Sequence, residues 1–235
     1  MTTNATNPVG IIGSGTMGAG IAQTAATAGW TVRLFDIEQS LVHSAVESIS
    51  KRFDRLVEKG QITEEQSNEN KSRIHGTTDV HELVDCDLII EAIVEDFDIK
   101  SKVLTELCEL APDSIIATNT SSLSVNELAH ATGYADRIVG MHFFNPAPIM
   151  PLVEIVSGTQ SAKSAVIRAT LIAEAWGKTV VQASDTPGFI VNRVARPYYL
   201  ESWRIVEDGL ATVDLVDETL QSLGEFRMGP FMLTD

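Results

Sequence analysis

Val9-Gly10-Ile11-Ile12-Gly13-Ser14-Gly15-Thr16-Met17-Gly18 is the stretch whose reading decides the fold. A short apolar strand, Val9 to Ile12, runs into G-x-G-x-x-G, and the following residues, Met17 to Ala28, have the length and composition of a helix. Glycines cluster in many turns, so the pattern alone is weak; between a strand and a helix it acquires a mechanism. Gly13 permits the tight turn, Gly15 lets the backbone approach a pyrophosphate, and Gly18 allows the helix to pack closely on the strand. The helix N-terminus, at Thr16 and Met17, presents free N–H groups and a partial positive charge to phosphate.

Outward from that turn, Asp36 ends the next strand, 36 − 18 = 18 residues past Gly18. A carboxylate there accepts both ribose hydroxyls of NAD and repels the 2′-phosphate of NADP, so NAD is the predicted cofactor. FAD shares the fingerprint, but the chain is short for a flavoprotein with a substrate domain. Strands are predicted at Thr31 to Phe35, Leu88 to Ala92, Ile115 to Ala117, Ile138 to His142, Leu152 to Val156 and Thr179 to Gln182. Helices are predicted at Leu41 to Lys59, Thr63 to Arg73, Asp98 to Leu110, Val125 to Ala131 and Ala162 to Trp176, the last stopped by Gly177. Thr63 with Gln66, and Ser124 with Glu127, have capping-box spacing. This alternation predicts βαβ units feeding a parallel sheet: an α/β fold of the Rossmann type, doubly wound. After Thr186-Pro187-Gly188 only helix remains, at Phe189 to Asp208 and Val213 to Leu223, ending at Met228-Gly229-Pro230. The boundary is set at residue 185, giving an NAD-binding domain over 1–185. Residues 186–235 read as the start of an all-helical C-terminal domain, too short for a core of its own.

Composition narrows the partners. The chain has 235 residues, 44% apolar and 21% charged, which excludes disorder and a disulfide miniprotein. Its 17 Lys and Arg against 32 Asp and Glu give a net charge of −15, which argues against nucleic acid as the main partner. No apolar run has the roughly 18 residues of a membrane span, and the polar start lacks a signal peptide's features, so a cytoplasmic protein is expected. Cys86 and Cys108 have no CxxC spacing and read as small apolar residues. With no HExxH or close His/Cys cluster, no metal site is predicted.

Polar groups concentrate at predicted strand ends, where open α/β sheets place ligands. These are Asn119-Thr120-Ser121-Ser122, then His142-Phe143-Phe144-Asn145-Pro146 with Glu154 beyond, and Asn192 near the domain junction, where clefts form. Oxidising an alcohol with NAD needs a base for the hydroxyl proton, and histidine, with an ordinary pKa of about 6.5, suits that task. His142 is the candidate base, Glu154 its partner on the other ring nitrogen, and Ser121 and Asn192 candidate hydrogen-bond donors to substrate oxygens. On the residues alone, His142 reads equally as a satisfied core histidine. A Ser-His-Glu hydrolase lacks its G-x-S-x-G elbow and would leave the nucleotide turn unexplained.

The text "IGSGTMGAGIAQ", "DLIIEAIVEDFDIK", "ATNTSSLS", "GMHFFNPAPIMPLVEIV", "GKTVV", "DTPGFIVNR" and "MGPFMLTD" resembles the short-chain L-3-hydroxyacyl-CoA dehydrogenases. Bacterial 3-hydroxybutyryl-CoA dehydrogenases are among them, and the resemblance spans nearly the whole chain in order and spacing. It implies oxidation of a 3-hydroxyacyl-CoA to the 3-oxoacyl-CoA with NAD. It places the catalytic pair on His142 and Glu154, the supporting serine and asparagine on Ser121 and Asn192, and NAD contacts on the three glycines, Asp36, Glu95, Lys100 and Asn145. Without it, Glu95 and Lys100 read as a solvated helix start. Asn119 joins the cofactor-binding candidates.

The family's helical pair after the second strand implies coenzyme A binding there. Lys51, Arg52, Arg55 and Lys59 fall within an arc of about 100° on one helix, either a cationic stripe for CoA phosphates or an ordinary solvated face. The phrases "RLVEKGQIT", "NPAPIMPLVEIVSG" and "FIVNRVARPYYLE" look like the branch acting on 3-hydroxyadipyl-CoA in phenylacetate breakdown. A relation to lens crystallin or gulonate dehydrogenase fits Phe143-Phe144 less well. The family continues beyond "MGPF" with helices that complete the cleft and a homodimer interface, so the second domain is expected to be incomplete. The alternative is a truncated NAD-binding module without turnover.

Overall fold

The computed structural model describes residues 8–234. Contacts divide the chain after Pro187 into two compact units. In the first, β1 (Val9–Ile12) leads through α1 (Thr16–Thr27) to β2 (Val32–Phe35), then α2 (Gln39–Glu58), α3 (Glu64–Ser72) and β3 (Ile74–Thr77). There follow β4 (Leu88–Glu91), α4 (Phe97–Leu110), β5 (Ile115–Thr118), α5 (Val125–Thr132), β6 (Ile138–Phe143), β7 (Leu152–Ser157), α6 (Lys163–Ala175) and β8 (Thr179–Ser184). The second unit holds α7 (Val191–Glu207), α8 (Val213–Ser222) and α9 (Pro230–Thr234).

The eight strands form one sheet in the order β3-β2-β1-β4-β5-β6-β7-β8. Its first six are parallel, in the doubly wound order that reverses between β1 and β4 and opens a crevice at their carboxyl ends. Strands covered on both faces are near-continuous apolar runs, and β1, β4, β5 and β6 are buried at every residue, with Glu91, Thr118 and His142 the polar residues at or near their carboxyl ends. The expected parallel sheet ends there. β7 runs antiparallel to β6, and β8 is parallel to β7. The connection from Phe144 to Pro151 is shorter than the dozen or so residues a parallel crossover needs, so the chain can only turn back.

β3 escapes the sequence reading because Ile74-His75-Gly76-Thr77 offers one large apolar residue and no alternation. It is an edge strand, and a Cβ on Gly76 would sit 2.4 Å from Val42 on α2, so a small residue lets that helix lie close. The short α9 is likewise unforeseen; the Asp217 carboxylate accepts from the Phe231 and Met232 N–H groups at its start, at 2.9 and 2.8 Å. Thr63 and Gln66 form the full capping box. At α5 only half of the predicted box forms. Ser124 accepts from the Glu127 N–H, and Asp185, from the end of β8, accepts from Ser124 Oγ, the Val125 and Asn126 N–H groups and Asn126 Nδ2. Among the described residues no helix is long and apolar enough to cross a membrane. Cys86 and Cys108 are buried and free, and burial pushes their thiols up to about 12 and about 11.

Candidate active site

Steric demand shapes the glycine turn. Gly13 has φ +95° and its N–H donates to the Phe35 carbonyl at 2.9 Å; a Cβ there would stand 2.6 Å from the Ala92 carbonyl oxygen. A Cβ on Gly18 would overlap the Gly13 carbonyl oxygen at 1.8 Å. At Gly15 the same test meets nothing within 4 Å. Gly15 is the N-cap of α1 with no side-chain cap, and no acidic residue occupies the first turn. The helix therefore offers uncapped N–H donors and the positive end of its dipole to an approaching anion. Asp36 is fixed beside it: Ser14 donates both its N–H and its Oγ to Asp36 Oδ2, each at 2.8 Å. Gly13, Gly15, Thr16, Met17 and Asp36 all line one cleft of about 790 Å³, while Gly18 lies beneath it as packing. Backbone donors, open space at Gly15 and an acceptor carboxylate fit a dinucleotide.

The second cluster stands where β6 meets β7. His142 and Glu154 are directly opposite in the antiparallel register, so their side chains share a face. His142 Nδ1 lies 2.7 Å from Glu154 Oε2, and Glu154 is fully buried. A carboxylate accepts only, so Nδ1 carries the proton in the neutral ring and Nε2 holds the basic lone pair. The Phe144 ring packs 4.5 Å from the imidazole. Asn119 fixes the strand end, its Oδ1 accepting from the Phe143 N–H at 2.8 Å.

Between these clusters lies a buried ion network that the sequence reading missed. Lys100 is 1% exposed, with Nζ 2.6 Å from Glu91 and 3.2 Å from Glu95. Glu91, at the end of β4, also accepts from the Thr118 hydroxyl and the Ile93 N–H, each at 2.8 Å. The expected solvated helix start is thus wrong for Lys100, because a charge from a neighbouring strand draws it inward. Glu95 Oε1 accepts from Thr120 Oγ1 at 2.5 Å, the Ser121 N–H at 2.9 Å, and the N–H and Oγ of Ser122 at 3.1 and 3.0 Å. Partial burial alone would raise the Glu95 pKa, but these donors and Lys100 outweigh it and hold it down at about 2. A signal existed for Glu91: like Asp36, it is an acid closing an apolar strand at the ligand edge of the sheet.

Residues 8–186 match the family model described as 3-hydroxyacyl-CoA dehydrogenase, NAD binding domain, and residues 188–235 match its C-terminal domain. The chain belongs to the 3-hydroxyacyl-CoA dehydrogenase family. Its cofactor is NAD. The chain is 43% identical over 228 residues to the 3-hydroxyadipyl-CoA dehydrogenase of Escherichia coli strain K12, covering 97% of the chain and 48% of that relative. It is 40% identical to a 3-hydroxybutyryl-CoA dehydrogenase of Mycobacterium tuberculosis, covering 97% of the chain and 80% of the relative. A crystal structure of (S)-3-hydroxybutyryl-CoA dehydrogenase from Ralstonia eutropha superposes with TM-score 0.93 at 37% identity, over 95% of this chain and 80% of that one. The chain thus spans about half of one of these relatives and four fifths of the others.

The remaining positions of interest in this dehydrogenase-family chain are spread more widely. Ser121 sits in the turn held by Glu95. Asn145 is exposed at the head of the β6–β7 connection, before a cis bond to Pro146. Asn192 is in the first turn of α7, in the second unit. On α2, Lys51 pairs with Glu47 at 2.6 Å on the exposed face, and Arg52 is turned onto Gln23 of α1 at 3.0 Å; Arg55 lies in the last turn. The cationic stripe is thereby partly committed to other partners.

Proposed function

We propose that the chain carries out oxidation of an L-3-hydroxyacyl-CoA to the 3-oxoacyl-CoA, with His142 as general base assisted by Glu154. The observation that carries this is the 2.7 Å contact of His142 Nδ1 with a fully buried Glu154, at the same sheet edge as the dinucleotide turn. Bound NAD supplies the hydride acceptor. His142 Nε2 takes the hydroxyl proton, and Glu154 stabilises the imidazolium that results, a division of labour worth roughly 10²–10⁴ in rate. Ser121 and Asn192 would hydrogen-bond the substrate oxygens as charge shifts. Asn145 would meet the cofactor from the β6–β7 connection, while Glu95 and Lys100 would act on the same region through the Asn119–Ser122 turn.

The relatives' names point to two acyl groups, a dicarboxylic adipyl chain and a short butyryl chain. 3-Hydroxyadipyl-CoA is the substrate to test first, in keeping with a role in phenylacetate degradation. Lys51 and Arg55 would meet the CoA phosphates. A cytoplasmic homodimer belongs to the same reading. Mixing the protein with NADH and acetoacetyl-CoA should consume NADH, followed at the nicotinamide absorbance band, and His142→Ala should abolish that loss while still binding NADH. Equal rates in the variant would sink the assignment of His142, and NADH binding without turnover by the wild type would leave an NAD-binding module.

A further inference from the structure

Among the described residues, three polar side chains line the cleft beside the glycine turn: Thr16, Asp36 and Glu106. The adenosine half of a dinucleotide has three polar parts: pyrophosphate, ribose and the edge of the base. Thr16, in the first turn of α1, stands with the phosphate donors, and Asp36 stands with the ribose. Glu106 serves neither.

Its place on α4 says what it can reach. At 100° per residue, Ile99, Val103 and Glu106 fall within an arc of about 60°, a single stripe along the helix. All three line the cleft, and Ile37 and Val80 contribute to its wall as well. Those four apolar residues suit the faces of a flat heteroaromatic ring. Glu106 lies seven residues beyond Ile99, about 10 Å further along the helix, so the stripe ends in a carboxylate. That carboxylate is not drawn into an ion pair with any described residue. A carboxylate only accepts hydrogen bonds. Adenine presents an amine donor at its exocyclic position, whereas a base with a carbonyl there presents an acceptor.

We propose that Glu106 is a specificity-determining residue that accepts a hydrogen bond from the exocyclic amine of the cofactor's adenine. The proposal rests on the NAD cofactor. NADH and its hypoxanthine analogue, which carries a carbonyl in place of that amine, are titrated into the protein and followed by nicotinamide fluorescence. The wild type should bind NADH about tenfold more tightly than the analogue. Glu106→Ala should weaken NADH and bring the two affinities within about twofold, and Glu106→Gln, whose amide can donate or accept, should do the same. Glu109→Ala, on the same helix but off the stripe, makes the same charge change and should keep the wild-type preference. Equal affinities in the wild type, or a preference that survives Glu106→Ala, overturns the assignment. If the wild type binds neither dinucleotide, the cofactor reading itself fails and the proposal falls with it.

Discussion

The two sides of the sheet's carboxyl edge handle charge in opposite ways. Around β1 and α1 the site offers backbone N–H groups and room at Gly15, with the Asp36 carboxylate held beside them by Ser14. Around β4, β5, β6 and β7 it consists of buried ionisable side chains: Glu91, Lys100, His142 and Glu154. Binding a pyrophosphate needs donors whose protonation never changes, and peptide N–H groups meet that need without a side chain. Moving a proton needs a group that does change, held in one tautomer. The first side is therefore fragile toward added bulk, and the second toward a changed hydrogen-bonding role.

The largest effect should come from reversing one hydrogen bond on the second side. In Glu154→Gln the amide can donate to Nδ1, which favours the tautomer with the proton on Nε2 and removes the base. Turnover should fall by about 10⁴, as it does when the orienting carboxylate of a catalytic triad becomes an amide and fixes the wrong tautomer, with NADH affinity within twofold. Steady-state kinetics beside an NADH titration checks this. A matching fall in NADH affinity would erase the distinction between the two sides.

Bulk added to the first side should separate packing from binding. Gly18→Ala places a methyl 1.8 Å from a backbone oxygen and should cost about 3 kcal/mol, read as a Tm loss of roughly 10 °C. Gly15→Ala meets no atom of the protein, so Tm should hold within about 2 °C while NADH binding weakens about tenfold. Thermal melts and NADH titrations of both variants suffice. Equal Tm losses would mean that the two glycines do the same work.

The same contrast explains what could be read in advance. A steric demand leaves a local trace, because only glycine tolerates the contacts at Gly13 and Gly18, and so the turn, its helix and Asp36 were legible from spacing. His142 and Glu154 were legible as a pair, but the register that brings them together depends on β7 returning antiparallel, visible only in the short Phe144–Pro151 connection. On the residues alone Lys100 reads as part of a solvated helix start, since its partner Glu91 stands on another element, nine residues earlier. The half-formed box at α5 failed for a like reason, as Asp185 arrives from sixty-one residues beyond Ser124. Partners brought by topology leave no periodic signal.

Glu95 belongs to the second side, between Lys100 and the serine turn, and its charge can be titrated. Its folded pKa of about 2 lies below the roughly 4.3 of a glutamate in an unfolded chain. A depressed carboxylate adds stability that is complete above the unfolded pKa and fades as pH falls through the folded one. Its donors are the turn that carries Ser121, so the charge holds that turn in place at neutral pH. Glu95→Gln removes the charge at every pH and should lower Tm by a few degrees at pH 7, a small effect because the side chain is 35% exposed. The gap should be about half as large near pH 3 and close below pH 2, where the wild-type carboxylate is itself protonated. A gap that stays constant across that window would show that shape alone, without charge, ties the serine turn to the buried lysine.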